Sequence, residues 1–157
     1  IQCGWFANDS IAQAFKASAE AQAPSVRHIW LDGRKAPERD RAWAAGDVFM
    51  SLSDNIQETF GLTPLEAMAA GRPVVAAASG GILDMVVHGR TGLLFPPGDV
   101  TALAQSLTSL LGDPDTAQAF GVAGRERARG FTVSAVVERI EHMYADAVRG
   151  PGRAVSR

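Results

Sequence analysis

Nine consecutive residues carry the most chemical information in this sequence: Glu58-Thr59-Phe60-Gly61-Leu62-Thr63-Pro64-Leu65-Glu66. Gly61 allows the backbone to approach a ligand closely, and the amides of Gly61, Leu62 and Thr63 lead straight into a predicted helix. A helix N-terminus offers N–H groups without intrahelical partners and the positive end of the macrodipole, so the stretch reads as an anion site suited to a phosphate or diphosphate. Two carboxylates, Glu58 and Glu66, bracket it. Carboxylates do not bind phosphates, but they grip hydroxyl groups through charge-assisted hydrogen bonds. A ligand with phosphate in its middle and hydroxyls at both ends is a nucleotide sugar. Each residue also has a plainer reading. Glu66 completes a capping box with Thr63, Glu58 is a solvated loop charge, and Gly61 shapes a turn.

The elements that must position these residues alternate short apolar runs with helical ones, the pattern of βα units on a Rossmann-like parallel sheet flanked by helices. A strand over residues 1–6 precedes a helix capped by Asp9 or Ser10, which runs to Gln22 with Ile11, Ala14, Phe15 and Ala19 on one apolar face. A strand over 26–31 closes on Asp32-Gly33, and a short helix ends at Ala45 before Gly46. The next strand, 47–52, is apolar enough for burial on both faces. After a loop over 53–62, Thr63 is the expected N-cap, Pro64 the first helical residue, Leu65, Met68 and Ala69 the apolar side, and Gly71 the stop. A strand over 74–77, a Ser79-Gly80-Gly81 turn, a short helix over 82–87 and a strand over 93–95 follow. Leu103, Leu107 and Leu110 make the buried stripe of a helix over 100–111, and two more helices cover 114–128 and 132–148, the second capped by Thr132. Residues 149–157 are expected to be a disordered tail. In an open α/β sheet, ligands bind beyond the carboxyl ends of the strands. Three unusual loops fall there: Asp32-Gly33-Arg34, residues 53–62, and Ser79-Gly80-Gly81.

Composition narrows the choices. The 157 residues are 46% hydrophobic with a formal net charge of -2, enough for a real core and too acidic for a nucleic-acid footprint. The single Cys3 cannot make an internal disulfide and reads as a small buried hydrophobe in its strand. No apolar run is long enough to span a bilayer. Trp5, Trp30 and Trp43 read as core or edge-packing aromatics, with a second reading for Trp5 as a lining residue of a cleft facing a partner domain. The run Arg125-Glu126-Arg127-Ala128-Arg129 reads as a solvated helix face.

The stretch from Asp54 through Val75 resembles the E-x7-E segment of family 4 (group 1) retaining glycosyltransferases, with Glu58 and Glu66 separated by seven residues. Downstream, Gly80-Gly81-Ile82 and the run Gly89-Arg90-Thr91-Gly92-Leu93-Leu94-Phe95 are also similar to that family, although Asp84 stands where Glu is more usual. The resemblance implies one half of a GT-B architecture, the carboxyl-terminal domain that holds the nucleotide-sugar donor, over residues 1–148. It implies that Glu66 holds the ribose hydroxyls, that Glu58 contacts the transferred sugar as the catalytic carboxylate, and that Gly61, Leu62 and Thr63, with Phe60 beside them, meet the diphosphate. Gly33 and Arg34 begin the segment expected to offer backbone groups to the base. The family reaction moves a sugar from a nucleotide donor to an acceptor hydroxyl with retention, with no bound metal and no cofactor beyond the nucleotide-sugar substrate. The expected partners are that donor and an amino-terminal acceptor domain, with no nucleic acid; the resemblance implies a cytoplasmic location and leaves room for peripheral membrane association of the full-length protein.

Family members carry an Arg and a Lys near the first strand and helix of this domain, and a catalytic His in the acceptor domain. Neither feature has a counterpart here, and His28, His88 and His142 stand in no matching context. The expectation is a piece of a longer enzyme, lacking its first strand-helix unit, which binds donor weakly and does not turn over alone. Val136, Ile140 and Met143 on the last helix should then be partly exposed. Two other readings stay open: a nucleotide or sugar-phosphate binding module without catalysis, and a nucleotide-sugar epimerase of the same architecture, which would need further carboxylates and a His.

Overall fold

Parallel strand pairing organises both parts of the chain. The computed structural model describes residues 1–53 and 61–149, and the chain divides into two compact units, Ile1–Asp47 and Val48–Arg157. The expected α/β architecture is present: parallel sheets with helices between successive strands.

In the first unit, β1 (Gln2–Gly4) pairs in parallel with β2 (Trp30–Asp32), Cys3 lying opposite Leu31. The helix between them, α1 (Asp9–Gln22), is capped by Asn8, whose side-chain oxygen accepts from the Ile11 N–H at 2.9 Å. The cap therefore sits one residue before the expected Asp9 or Ser10, and Asp9 becomes a first-turn acid beside the positive helix end. Both strands are shorter than predicted. Cys3 and Trp5 are exposed rather than buried, because a two-stranded ribbon of three-residue strands covers little on either face. Helix α2 (Ala36–Ala45) closes the unit and ends at Gly46, as expected.

The second unit carries the core. Its sheet has the order β3-β4-β5, with β3 (Phe49–Ser51), β4 (Val74–Ala77) and β5 (Gly92–Phe95) all parallel. The middle strand β4 is buried at every residue, whereas β3 exposes Met50, so the expected burial on both faces belongs to β4 and not to β3. Helix α3 (Leu62–Ala69) joins β3 to β4, and the four-residue α4 (Ile82–Met85) joins β4 to β5. Val75, Ala77, Phe95 and Leu110 form a buried cluster, with Leu103 and Leu107 packed against it from α5 (Val100–Gly112). The Asp99 carboxylate caps α5 through the Ala102 N–H.

Helix α6 (Pro114–Ala128) follows, then a 3-10 turn (Arg129–Phe131) and α7 (Val133–Arg149), with the Thr132 hydroxyl oxygen accepting from the Ala135 N–H. Asp113-Pro114-Asp115, an Asp-x-Asp sequence, is occupied as a helix start: Asp113 accepts from the Thr116 N–H and hydroxyl, and these bonds lower its pKa. On α7, Val136 is half-buried while Ile140 and Met143 are exposed, in line with expectation. Arg149 belongs to α7, and the remainder of the predicted tail lies outside the described residues.

Candidate functional site

The N-terminus of α3 is built around Gly61. Its φ of 69° and ψ of 53° put it in the left-handed region, and Leu62 is the first helical residue. An N-cap normally supplies a side-chain oxygen to the first free amides; here, among the described residues, there is no side-chain cap. Thr63 is therefore not the N-cap, and the capping box with Glu66 does not form, because the helix begins two residues earlier than the Thr-Pro signal suggests. Pro64 falls at the third helical position and has no N–H to offer. Leu65 N–H donates to the Gly61 carbonyl at 3.3 Å. Leu62 and Thr63 are exposed, and their amides have no partner within the helix.

Glu66 lies three and four residues beyond Thr63 and Leu62, on the same side of the helix, and its side chain is exposed. Not being tied into a cap, it can meet a hydroxyl. The buried side of α3 is formed by Pro64, Ala67 and Met68, with Leu65 half-buried and Ala69 exposed, a rotation from the predicted Leu65–Met68–Ala69 face. Glu58 and Phe60 lie outside the described residues.

Gly61 is required for packing as well as for its backbone angle. A Cβ there would stand 3.3 Å from Ile82 Cγ1 and 3.7 Å from Met85 Sδ, both on α4. The carboxyl ends of β3 and β4 are drawn together where the Ser79 hydroxyl donates to the Ser53 carbonyl at 2.9 Å. At its far end, α3 stops in a Schellman motif: the Gly71 N–H donates to Met68 O and the Arg72 N–H to Ala67 O, with Gly71 at a φ of 72°. Gly71 thus does what its position predicts.

In the first unit, Gly33 and Arg34 sit in a loop held by charge. Asp32 accepts from Arg34 Nε at 2.9 Å, from a terminal guanidinium nitrogen at 3.0 Å and from the Arg34 N–H at 3.0 Å. These bonds, led by the side-chain pair, hold the Asp32 carboxyl down at about 2 and raise the Arg34 pKa. Glu38 accepts from the Asp32 N–H at 2.7 Å and from Lys35 Nζ at 3.0 Å, and both contacts lower its pKa. The Gly33 N–H donates to Gly4 O, and a Cβ at Gly33 would lie 3.1 Å from Gly4 Cα. Both amides, expected among the backbone groups that meet the base, are thus engaged inside the protein. Beside it, a cleft of about 490 Å³ opens at the carboxyl ends of β1 and β2, lined among others by Trp5, Phe6, Phe15, Trp30 and Lys16. Trp30 is packed edge-on by Phe15 and stacked by His28.

Sequence reasoning missed the arginines of α6. Arg125 donates to Ala70 O at 3.0 Å, and Arg127, half-buried, donates to the carbonyls of Asp84 and Met85, so this run is not merely a solvated face. The available signal was the spacing of Gly121, Gly124 and Ala128, small residues on one side of the helix that bring it close to its neighbours.

Comparison with known proteins identifies the family. The description "Glycosyl transferases group 1" matches residues 7–127. The chain is 43% identical over 118 residues to a D-inositol 3-phosphate glycosyltransferase of Corynebacterium diphtheriae, covering 75% of this chain and 27% of that protein. It is 42% identical over 138 residues to the sulfoquinovosyl transferase SQD2 of Arabidopsis thaliana, covering 85% and 27%. Its fold is similar to that of Anabaena Alr3699/HepE, solved in complex with UDP and glucose, with a TM-score of 0.74, 25% identity, and coverage of 92% of this chain and 39% of that one. The chain thus spans between a quarter and two-fifths of the length of these proteins. With its Rossmann-like α/β fold and this match over most of its length, the chain belongs to the group 1 glycosyl transferases.

Proposed function

We propose that this chain is the donor-binding part of a retaining GT-B glycosyltransferase. The diphosphate of a nucleotide sugar sits at the N-terminus of α3, against the amides of Gly61, Leu62 and Thr63, and Glu66 accepts hydrogen bonds from the ribose hydroxyls. Glu58 contacts the transferred sugar, Phe60 adjoins the donor, and the segment of Gly33 and Arg34 serves the base. When the bond between the anomeric carbon and the phosphate oxygen breaks, negative charge develops on the leaving diphosphate, and the helix end stabilises it. The acceptor hydroxyl and the face from which it attacks belong to an amino-terminal domain outside this chain, so the chain binds donor weakly and does not turn over by itself. No metal takes part in this reading.

The observation that carries it is the uncapped start of α3 at a left-handed glycine, with Glu66 exposed one turn further on. A helix end satisfied by its own Thr63–Glu66 box would have neither amides nor carboxylate to spare. The relative of known structure solved with UDP and glucose supports the choice of ligand class.

Calorimetric titration with UDP-, GDP- and ADP-sugars tests the proposal. One of the three should bind, and Glu66→Ala should weaken it by about ten-fold or more, the scale of a lost hydrogen bond to a charged group. Binding of none, or binding indifferent to the substitution, overturns the assignment.

A further inference from the structure

We propose that Arg127 is a positioning residue for the candidate donor site: it fixes α4, and α4 fixes the start of α3. The inference rests on the donor-site reading above. Helix α4 has four residues and is closed by one turn, in which the Val86 N–H donates to Ile82 O. A single turn does not hold itself, so its placement comes from outside. On one side, Ile82 and Met85 are buried, and both stand against the position a Gly61 Cβ would occupy. On the other, the Arg127 guanidinium donates to the carbonyls of Asp84 and Met85 at the end of the turn, where a cation also meets the negative end of the local dipole.

Arg127 is itself well placed to hold something. Its guanidinium carbon lies 5.7 Å from the centre of the Phe131 ring, so the group has a cation–π contact as well as its hydrogen bonds. Helix α6 that carries it is seated by backbone contact: a Cβ at Gly121 would stand 2.2 Å from the Gly71 carbonyl oxygen, and one at Gly124 would stand 3.3 Å from Met68 Cγ. The same helix grips the far end of α3 through Arg125, which donates to Ala70 O. Arg125 thus secures the end of α3 remote from the site, while Arg127 secures the piece that packs on Gly61. The two residues differ in what they reach, and this makes Arg125 the internal control.

The test is amide NMR on the 157-residue chain, with Arg127→Ala, Arg127→Lys and Arg125→Ala, followed by titration with UDP, GDP and ADP. In Arg127→Ala the resonances of Gly61, Leu62 and Thr63 should move, and exchange of the Leu65 and Val86 amides should quicken about ten-fold. Amides of α5 should stay unchanged. Arg127→Lys, which keeps a charged donor, should fall between Arg127→Ala and the native chain, and it carries the test if the alanine variant does not fold. The Kd of the tightest-binding diphosphate should rise about five-fold in Arg127→Ala and change less than two-fold in Arg125→Ala. Unmoved Gly61–Thr63 amides, or α5 amides disturbed as much as they are, overturn the positioning role. If the amides respond as expected but no diphosphate binds to the native chain, the mechanical link from Arg127 to Gly61 stands and the donor-site reading falls.

Discussion

The two units share a βα grammar and hold themselves in order by different means. In Val48–Arg157 the middle strand has a neighbour on each side and cover on each face, and the loops that matter rest on packed glycines and buried side chains such as Ile82. In Ile1–Asp47 two three-residue strands pair, no residue is fully buried, and the loop after β2 is shaped by Asp32, Arg34, Lys35 and Glu38. Packing presents no charge for salt to screen and is unforgiving of lost volume. Exposed ion pairs are screened by salt and weak one at a time.

Substitutions probe this contrast at three scales. Met68→Ala removes a side chain of zero exposure from the buried side of α3 and should cost about 3 kcal/mol in urea-induced unfolding of the second unit; a loss below about 1 kcal/mol would erase the distinction between the units. Phe15→Ala in the first unit removes a ring that is 51% exposed and should cost only about 1 kcal/mol by the same measurement. The smallest effect is electrostatic. Because the Asp32 carboxyl is held at about 2, below its ordinary 3.8, the pair with Arg34 contributes above that ordinary value and is lost as pH falls through about 2. Carboxyl NMR titration of Arg34→Gln should move Asp32 back toward 3.8, and added salt should move the native chain the same way. An Asp32 that already titrates at 3.8 in the native chain would show that charge does not hold this loop.

Much of the second unit was legible from its residues. Strand β4 and helix α6 fall on the predicted boundaries, and Gly71 and Thr132 perform their predicted capping roles. These succeed because the signals are local: an apolar run between Pro73 and Ser79, or a proline after Asp113. The start of α3 was misplaced because the Thr-Pro-x-Glu pattern names a side-chain cap, whereas a left-handed glycine lets a helix begin without one. Burial of Cys3 was misjudged for another reason. Apolar character says a residue prefers cover, and only the tertiary structure says whether cover exists. The Arg127 contact joins residues more than forty positions apart through a long flexible side chain, and no local pattern encodes its target.

The sheet of the second unit also bears on how quickly the molecule can assemble. β3, β4 and β5 are neighbours in space in the order in which they occur in the chain, so Met50 meets Val75 and Val75 meets Leu93 across single helical crossovers. Each pairing closes a short loop, and loop closure is the entropy that must be spent before a parallel sheet returns anything. A nascent chain can therefore complete this sheet in the order in which a ribosome delivers it, with little time for an unpaired edge to find a wrong partner.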